Sequence, residues 1–118
     1  MKIVKMSEAA KVVVPDAVFT APVTRQPLIS ESKEFFVRII NFGKGVRNKF
    51  HAHDSDELLI ISAGKGIMAT EKEKKVVAPG EVVFFPAGEK HWHGATEDSE
   101  FSHIVISKVG MKRTWSED

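Results

Sequence analysis

The stretch "HAHDSDE" at residues 51–57 governs how the rest of the chain is read. Two histidines stand two apart, and a carboxylate follows four residues after the second. In a strand, residues i and i+2 face the same side with Cα atoms about 6–7 Å apart, so His51 and His53 project together. Residues 54–56, with Asp54 and Asp56, read as a turn, and Glu57 opens the apolar run "ELLIISAG" (57–64), where its carboxylate can return to the same point. Further on, "PAGEKHWHG" (86–94) is a Pro/Gly turn that delivers His91 at the start of another strand. An isolated H-x-H reads more simply as solvent-facing or core histidines. Here all five histidines fall between residues 51 and 103, and that clustering favours a shared site. Three imidazoles and one carboxylate suit Mn, Fe, Co, Ni or Zn, and a six-coordinate ion would keep two positions open.

The flanking sequence supplies the strands. "EFFVRIINF" (34–42), "ELLIISAG" (57–64), "KKVVAPG" (74–80), "GEVVFFPAG" (80–88) and "EFSHIVIS" (100–107) are brief apolar runs stopped by Gly, Pro or Ser. None sustains a helical period for three turns. Short strands at roughly ten-residue spacing predict an antiparallel sandwich or barrel. The first third is looser: "SEAAK" (7–11) can make one helical turn, and "VFTAPVTRQPLI" (18–29), with two prolines, predicts an edge strand. The N-terminal edge segment as a whole covers about 12–30, and the barrel core about 34–108, within a single domain 1–118. An edge of that kind invites a partner, so a homodimer or higher homo-oligomer is expected.

Composition narrows the function classes. The 118 residues suffice for one core and are too few for two. A formal net charge of +1 argues against a nucleic-acid surface, and the mixed-sign "EKEKK" (71–75) reads as a solvated turn. The chain has no cysteine, which excludes disulfides and thiolate sites and makes a reducing cytoplasm the simplest location. Neither a signal peptide nor a membrane span is expected from "MKIVKMSEAAKVVV".

From Gly45 the chain reads G-x5-H-x-H-x3-E-x6-G, and from Gly80 it reads G-x5-P-x-G-x2-H-x3-A. These patterns resemble the two motifs of the cupin superfamily, with Ala95 where the second motif usually ends in Asn. The resemblance implies an all-β, antiparallel jelly-roll barrel with one divalent transition metal near its mouth, Mn or Fe favoured. It also implies His51, His53, Glu57 and His91 as the ligands. Around "GEKHWHGA" (88–95), "FSHIVIS" (101–107), "FTAPVTRQPL" (19–28) and Trp115, the chain is similar to small bacterial cupins that include manganese-dependent hydroxynitrile lyases and relatives of the carboxymuconolactone decarboxylase-associated cupins. It departs from those lyases at Glu57, where they commonly carry Gln, and at Asp54, where they carry Pro.

The remaining polar residues leave alternatives open. His93 shares a face with His91 while Trp92 points away, and it reads either as a support beneath the ligands or as an acid/base. In "EFSHIVIS", Phe101, His103, Val105 and Ser107 share one face. The resemblance implies that His103 lines the pocket as acid/base, with Phe101 as a substrate contact. With no tyrosine in the chain, histidine is the natural base near neutral pH. Arg38 reads as a rim arginine or as the partner of a substrate carboxylate. The expected function is a small metalloenzyme of lyase type acting on a small oxygenated organic substrate. A metal-dependent dioxygenase and a non-catalytic ligand-binding module are the alternatives.

Overall fold

The computed structural model describes residues 1–117. A 3-10 turn, Met6–Glu8, precedes strands β1 (Val12–Val14), β2 (Val23–Ile29), β3 (Phe35–Phe42), β4 (His51–His53) and β5 (Glu57–Gly64). These are followed by β6 (Gly66–Thr70), β7 (Lys74–Val77), β8 (Val82–Phe85), β9 (His91–Ala95), β10 (Phe101–Lys108) and β11 (Arg113–Ser116). One sheet runs β1-β2-β3-β10-β5-β8 and the other β11-β4-β9-β6-β7. Every paired strand is antiparallel. The two sheets face each other as a jelly roll, and the chain passes from one to the other at the corner around residues 54–56.

Strand alternation decides what lies between the sheets. In β10 every second residue from Phe101 to Ser107 is buried, and this strand sits between β3 and β5. Its inward face joins Phe42, Leu59, Ile61 and Met68 in the core. Val105 and Ile40 belong both to the core and to the wall of the cavity above it. At roughly 25 cal/mol per Å² of buried apolar surface, each of these side chains contributes about 1.5–3 kcal/mol. The core is therefore the floor on which the site stands.

The proline-bearing strand is not an edge. β1 lies outside β2 in the register Val12↔Arg25 to Val14↔Val23, which makes β1 the edge. Pro27 is tolerated because β1 ends its pairing at Arg25 and the β2–β3 register shifts between Pro27 and Ile29. The outer face of β2 is covered instead: Gln26 donates to the Ala9 carbonyl at 2.9 Å and accepts from Asn41. Two strands had no clear sequence signal. These are β6, in the stretch between the motifs, and β11, which is exposed along its length yet pairs with β4. Among the described residues, no helix is long and apolar enough to cross a membrane.

Candidate metal centre

Two corners are tied together to build the site. Gly88 donates its amide to the His53 carbonyl at 2.9 Å, and Ala87 donates to Asp56 Oδ1 at 2.9 Å. The Pro/Gly turn before β9 is thus held against the turn between β4 and β5, with Gly88 at φ 83, in the left-handed region. On the other side, Asp54 exchanges hydrogen bonds with the Lys112 backbone, which docks β11. His51 and His91 are direct register partners across β4 and β9, with ring centroids 4.4 Å apart.

The imidazoles are oriented before any ligand arrives. His51 Nδ1 donates to the Lys49 carbonyl at 2.6 Å, and His91 Nδ1 donates to the Glu89 carbonyl at 2.8 Å. A carbonyl only accepts, so both rings carry a proton on Nδ1, and in a neutral ring the Nε2 lone pair is then free. The Phe85 ring stacks on His91 at 3.9 Å and fixes its plane. Glu57 is 5 % exposed. Its Oε1 lies 3.5 Å from His91 Nε2 and 3.7 Å from His93 Nε2, and its Oε2 lies 4.0 Å from His53 Nδ1.

The electrostatics favour a cation among these side chains. Burial, then the neighbouring His93 and His91, push His51 down to about 3, so it is neutral near pH 7. Burial likewise lowers His53, His93 and His103. Burial opposes the charge on Glu57, but His91 and His93, when they carry hydrogen on Nε2, hold the carboxyl well below the usual range. Glu57 Oε1, His53 Nδ1 and His91 Nε2 are buried without a hydrogen-bond partner. A buried carboxylate facing imidazole lone pairs is a costly arrangement unless a positive ion sits among them. The residues fit a divalent metal. His53, Glu57 and His91 form one trio whose ligating atoms lie within 4.8 Å of one another, and His51, His91 and His93 form a second, so His91 is shared.

Behind this cluster runs a hydrogen-bonded file. Asn48, 3 % exposed, accepts the His93 amide at 2.8 Å through Oδ1, which turns its Nδ2 toward His93 Nε2 at 3.3 Å. His93 then carries its proton on Nδ1 and donates it to His103 Nε2 at 3.1 Å. His103 is fully buried, and its Nδ1 has no partner. Asn48 had no signal in the sequence beyond its place between Gly45 and His51.

A cavity of about 320 Å³ opens beside these residues, lined by His51, His53, Glu57, His93 and His103 and, on the β2–β3 side, by Arg25 and Arg38. Arg38 is thus in the wall and not on an outer rim. Phe101 is not a cavity residue. It is 1 % exposed and packed against Phe42 in the core, in space that a side chain at Gly66 would fill. Trp92 points to the opposite face of β9 from His91, as alternation requires, but it is buried there beneath the Arg47 guanidinium at 4.0 Å.

Comparison with known proteins agrees with this geometry. The Cupin_2 family (Cupin domain) matches residues 38–107. The chain belongs to that family. It is 34% identical over 93 residues to a protein named (R)-mandelonitrile lyase from Granulicella tundricola, spanning 76% of this chain and 71% of that one. Among solved structures, a cupin-like protein from Thermotoga maritima superposes with TM-score 0.77 at 26% identity, covering 98% of this chain and 90% of its own. The polyketide cyclase RemF from Streptomyces resistomycificus shares the fold with TM-score 0.84 at 17% identity, over 100% and 88% of the two chains.

Proposed function

We propose that this cupin is a metal-dependent lyase acting on a small oxygenated organic molecule, with His51, His53, Glu57 and His91 as ligands. One observation carries the reading: Glu57 Oε1, His91 Nε2 and His53 Nδ1 are buried together without a hydrogen-bond partner, with Oε1 3.5 Å from His91 Nε2. A divalent transition ion held there supplies Lewis-acid polarisation of a bound oxygen atom. Mn and Fe are the ions we favour. The relative named (R)-mandelonitrile lyase supports carbon–carbon cleavage over oxygen chemistry.

The chain's own residues manage the proton. Asn48 holds His93, and His93 holds His103 in the tautomer with hydrogen on Nδ1. In that state His103 is a donor. It becomes an acceptor when a proton from the substrate oxygen enters at His93 Nε2, the His93 Nδ1 hydrogen passes to His103 Nε2 and the His103 Nδ1 hydrogen leaves to the departing group, one proton in and one out. His103 and His93 thus act as one proton carrier, whose two states are set by Asn48 at one end and Glu57 at the other. Walls of Ile40, Val105 and Phe19 limit water around a substrate in the cavity.

The test has two stages. Metal content of the purified protein is measured by mass spectrometry alongside His51→Ala and His91→Ala. Most of the metal should be lost in each variant, and full occupancy in both refutes the ligand assignment. Cleavage of mandelonitrile and related cyanohydrins is then assayed with and without oxygen. His103→Ala should retain metal and lose roughly 10²–10⁴-fold in turnover, the usual worth of a positioned acid/base. We also propose a homo-oligomer, paired through the β1 edge, where Val12 and Val13 are exposed; a monomer mass at micromolar concentration refutes it.

A further inference from the structure

We propose that Arg25 and Arg38 form a carboxylate subsite in the cavity wall, so that the substrate is a small organic acid whose other oxygen reaches the histidine–glutamate cluster. The placement of that second oxygen rests on the function proposed above; the arginine subsite itself does not. Arg25 is the register partner of Ile40, and Arg38 stands two residues earlier on β3, opposite Pro27. The two arginines are therefore diagonal neighbours on the inner face, about 7–8 Å apart at the backbone. Both line the cavity.

Neither charge has a close carboxylate partner in the protein. Among the described residues, neither guanidinium has a carboxylate within 4.0 Å. The carboxylates of the same cavity are committed elsewhere: Asp16 is paired with Arg113 at 3.0 Å, and Glu57 faces the histidines. Arg38 places Nη1 on Ser107 Oγ at 2.7 Å and more weakly on the Phe36 carbonyl at 3.4 Å. Its guanidinium lies 4.7 Å above the Phe36 ring. These contacts use one nitrogen and aim the plane of the group. Arg25 Nε is buried with no partner at all.

Burial weakens Arg38's hold on its proton, Glu57 strengthens it, and the nearby Arg25 charge, a smaller effect, weakens it again. An incoming carboxylate would satisfy the orphaned Nε and offset that repulsion. The planar fork of arginine matches a carboxylate in paired hydrogen bonds, which lysine does not reproduce. The volume of about 320 Å³ admits only a small molecule.

The probes are glycolate and glycolamide, equal in size and both carrying a hydroxyl, with only the first anionic. Binding is followed by ligand-observed NMR in zinc-loaded and chelator-stripped protein, with zinc content measured separately. The stripped form isolates the arginines, because no ion is present to attract the carboxylate. There, glycolate should bind about 10–100-fold tighter than glycolamide, the range expected for charge-assisted hydrogen bonds. Arg38→Gln and Arg25→Gln should each erase most of that preference while leaving zinc uptake intact. Arg38→Lys should restore part of it. Equal binding of the two probes to stripped protein, or a preference that survives both glutamine substitutions, overturns the subsite. A protein that takes up no zinc yet shows the arginine-dependent preference keeps the subsite and removes the metal reading.

Discussion

Replacing Glu57 by Gln should move the protein in opposite directions depending on whether metal is bound. The side chain keeps its shape, so packing against His91 and His93 is preserved. The change removes a charge that is 5 % exposed and whose Oε1 has no hydrogen-bond partner. Leaving a buried carboxylate without a close positive partner costs several kcal/mol, part of which the Arg38 charge offsets. The His91 and His93 contacts that lower the Glu57 carboxyl require hydrogen on Nε2. With those nitrogens bare at pH 8 the burial cost is what is left, and we expect a net gain of about 1–2 kcal/mol for the metal-free variant. With an unfolding entropy of about 2.1 cal/mol/K per residue, 118 residues give roughly 4 °C per kcal/mol. Scanning calorimetry in chelator should therefore show Tm rising by about 4–8 °C. The same variant should bind Mn or Zn at least 10–100-fold more weakly, the loss usual even for partners one step removed from the metal. The two melting curves should cross as metal is added. A metal-free Tm that falls, or a metal affinity equal to that of the native chain, would refute the idea that Glu57 is an ion-seeking carboxylate.

Acid should unfold the metal-free protein early. His51, held at about 3, stays neutral in the folded state while the unfolded chain takes up a proton near pH 6.5. Stability from its neutral burial is thus present above pH 6.5 and lost as pH falls toward 3, on the order of 5 kcal/mol over that window. A urea midpoint unchanged between pH 7 and pH 5 in chelator contradicts this. At the close crossing of β9 and the β3–β4 loop, a Cβ on Gly94 would stand 2.4 Å from Arg47 Cα and 2.6 Å from the Val46 carbonyl. Gly94→Ala should therefore destabilise by about 1–3 kcal/mol, read as a lower Tm by circular dichroism. An unaltered Tm would mean that the loop yields freely.

The sequence was most legible where one physical rule acted alone. Alternation placed His51 with His53 and His103 with Val105, and Pro/Gly stops marked the ends of β5 and β8. It failed where a neighbour distant in sequence decides the outcome. Two prolines in 18–29 read as an edge because the missing amide is a local fact, whereas the pairing of β1 on Val23 and Arg25 is not. β11 carries no apolar pattern, since its order comes from backbone bonds to β4 and from the Asp54–Lys112 exchange. Phe101 was correctly turned inward but assigned to the cavity, because alternation gives a side and not a height along the barrel. Arg38 presented the reverse case: its face was plain, and only the fold shows that Arg25 stands beside it.

Consider again how His51 and His91 are aimed. Each ring is tethered to the carbonyl two positions earlier, in the segment leading into its strand, so a three-residue unit carries its own compass. Phe85 of β8 stacks on His91 from the opposite sheet, but no side chain of β2, β3 or β10 hydrogen-bonds to either ring. The lining at Arg25, Arg38, Ile40 and Val105 can therefore drift without detuning the first two nitrogens of the proposed metal site. Such a barrel resembles a lamp socket with interchangeable shades: redecorating β2, β3 and β10 would change what the cavity accepts, while the fitting proposed to hold the metal would stay as it is.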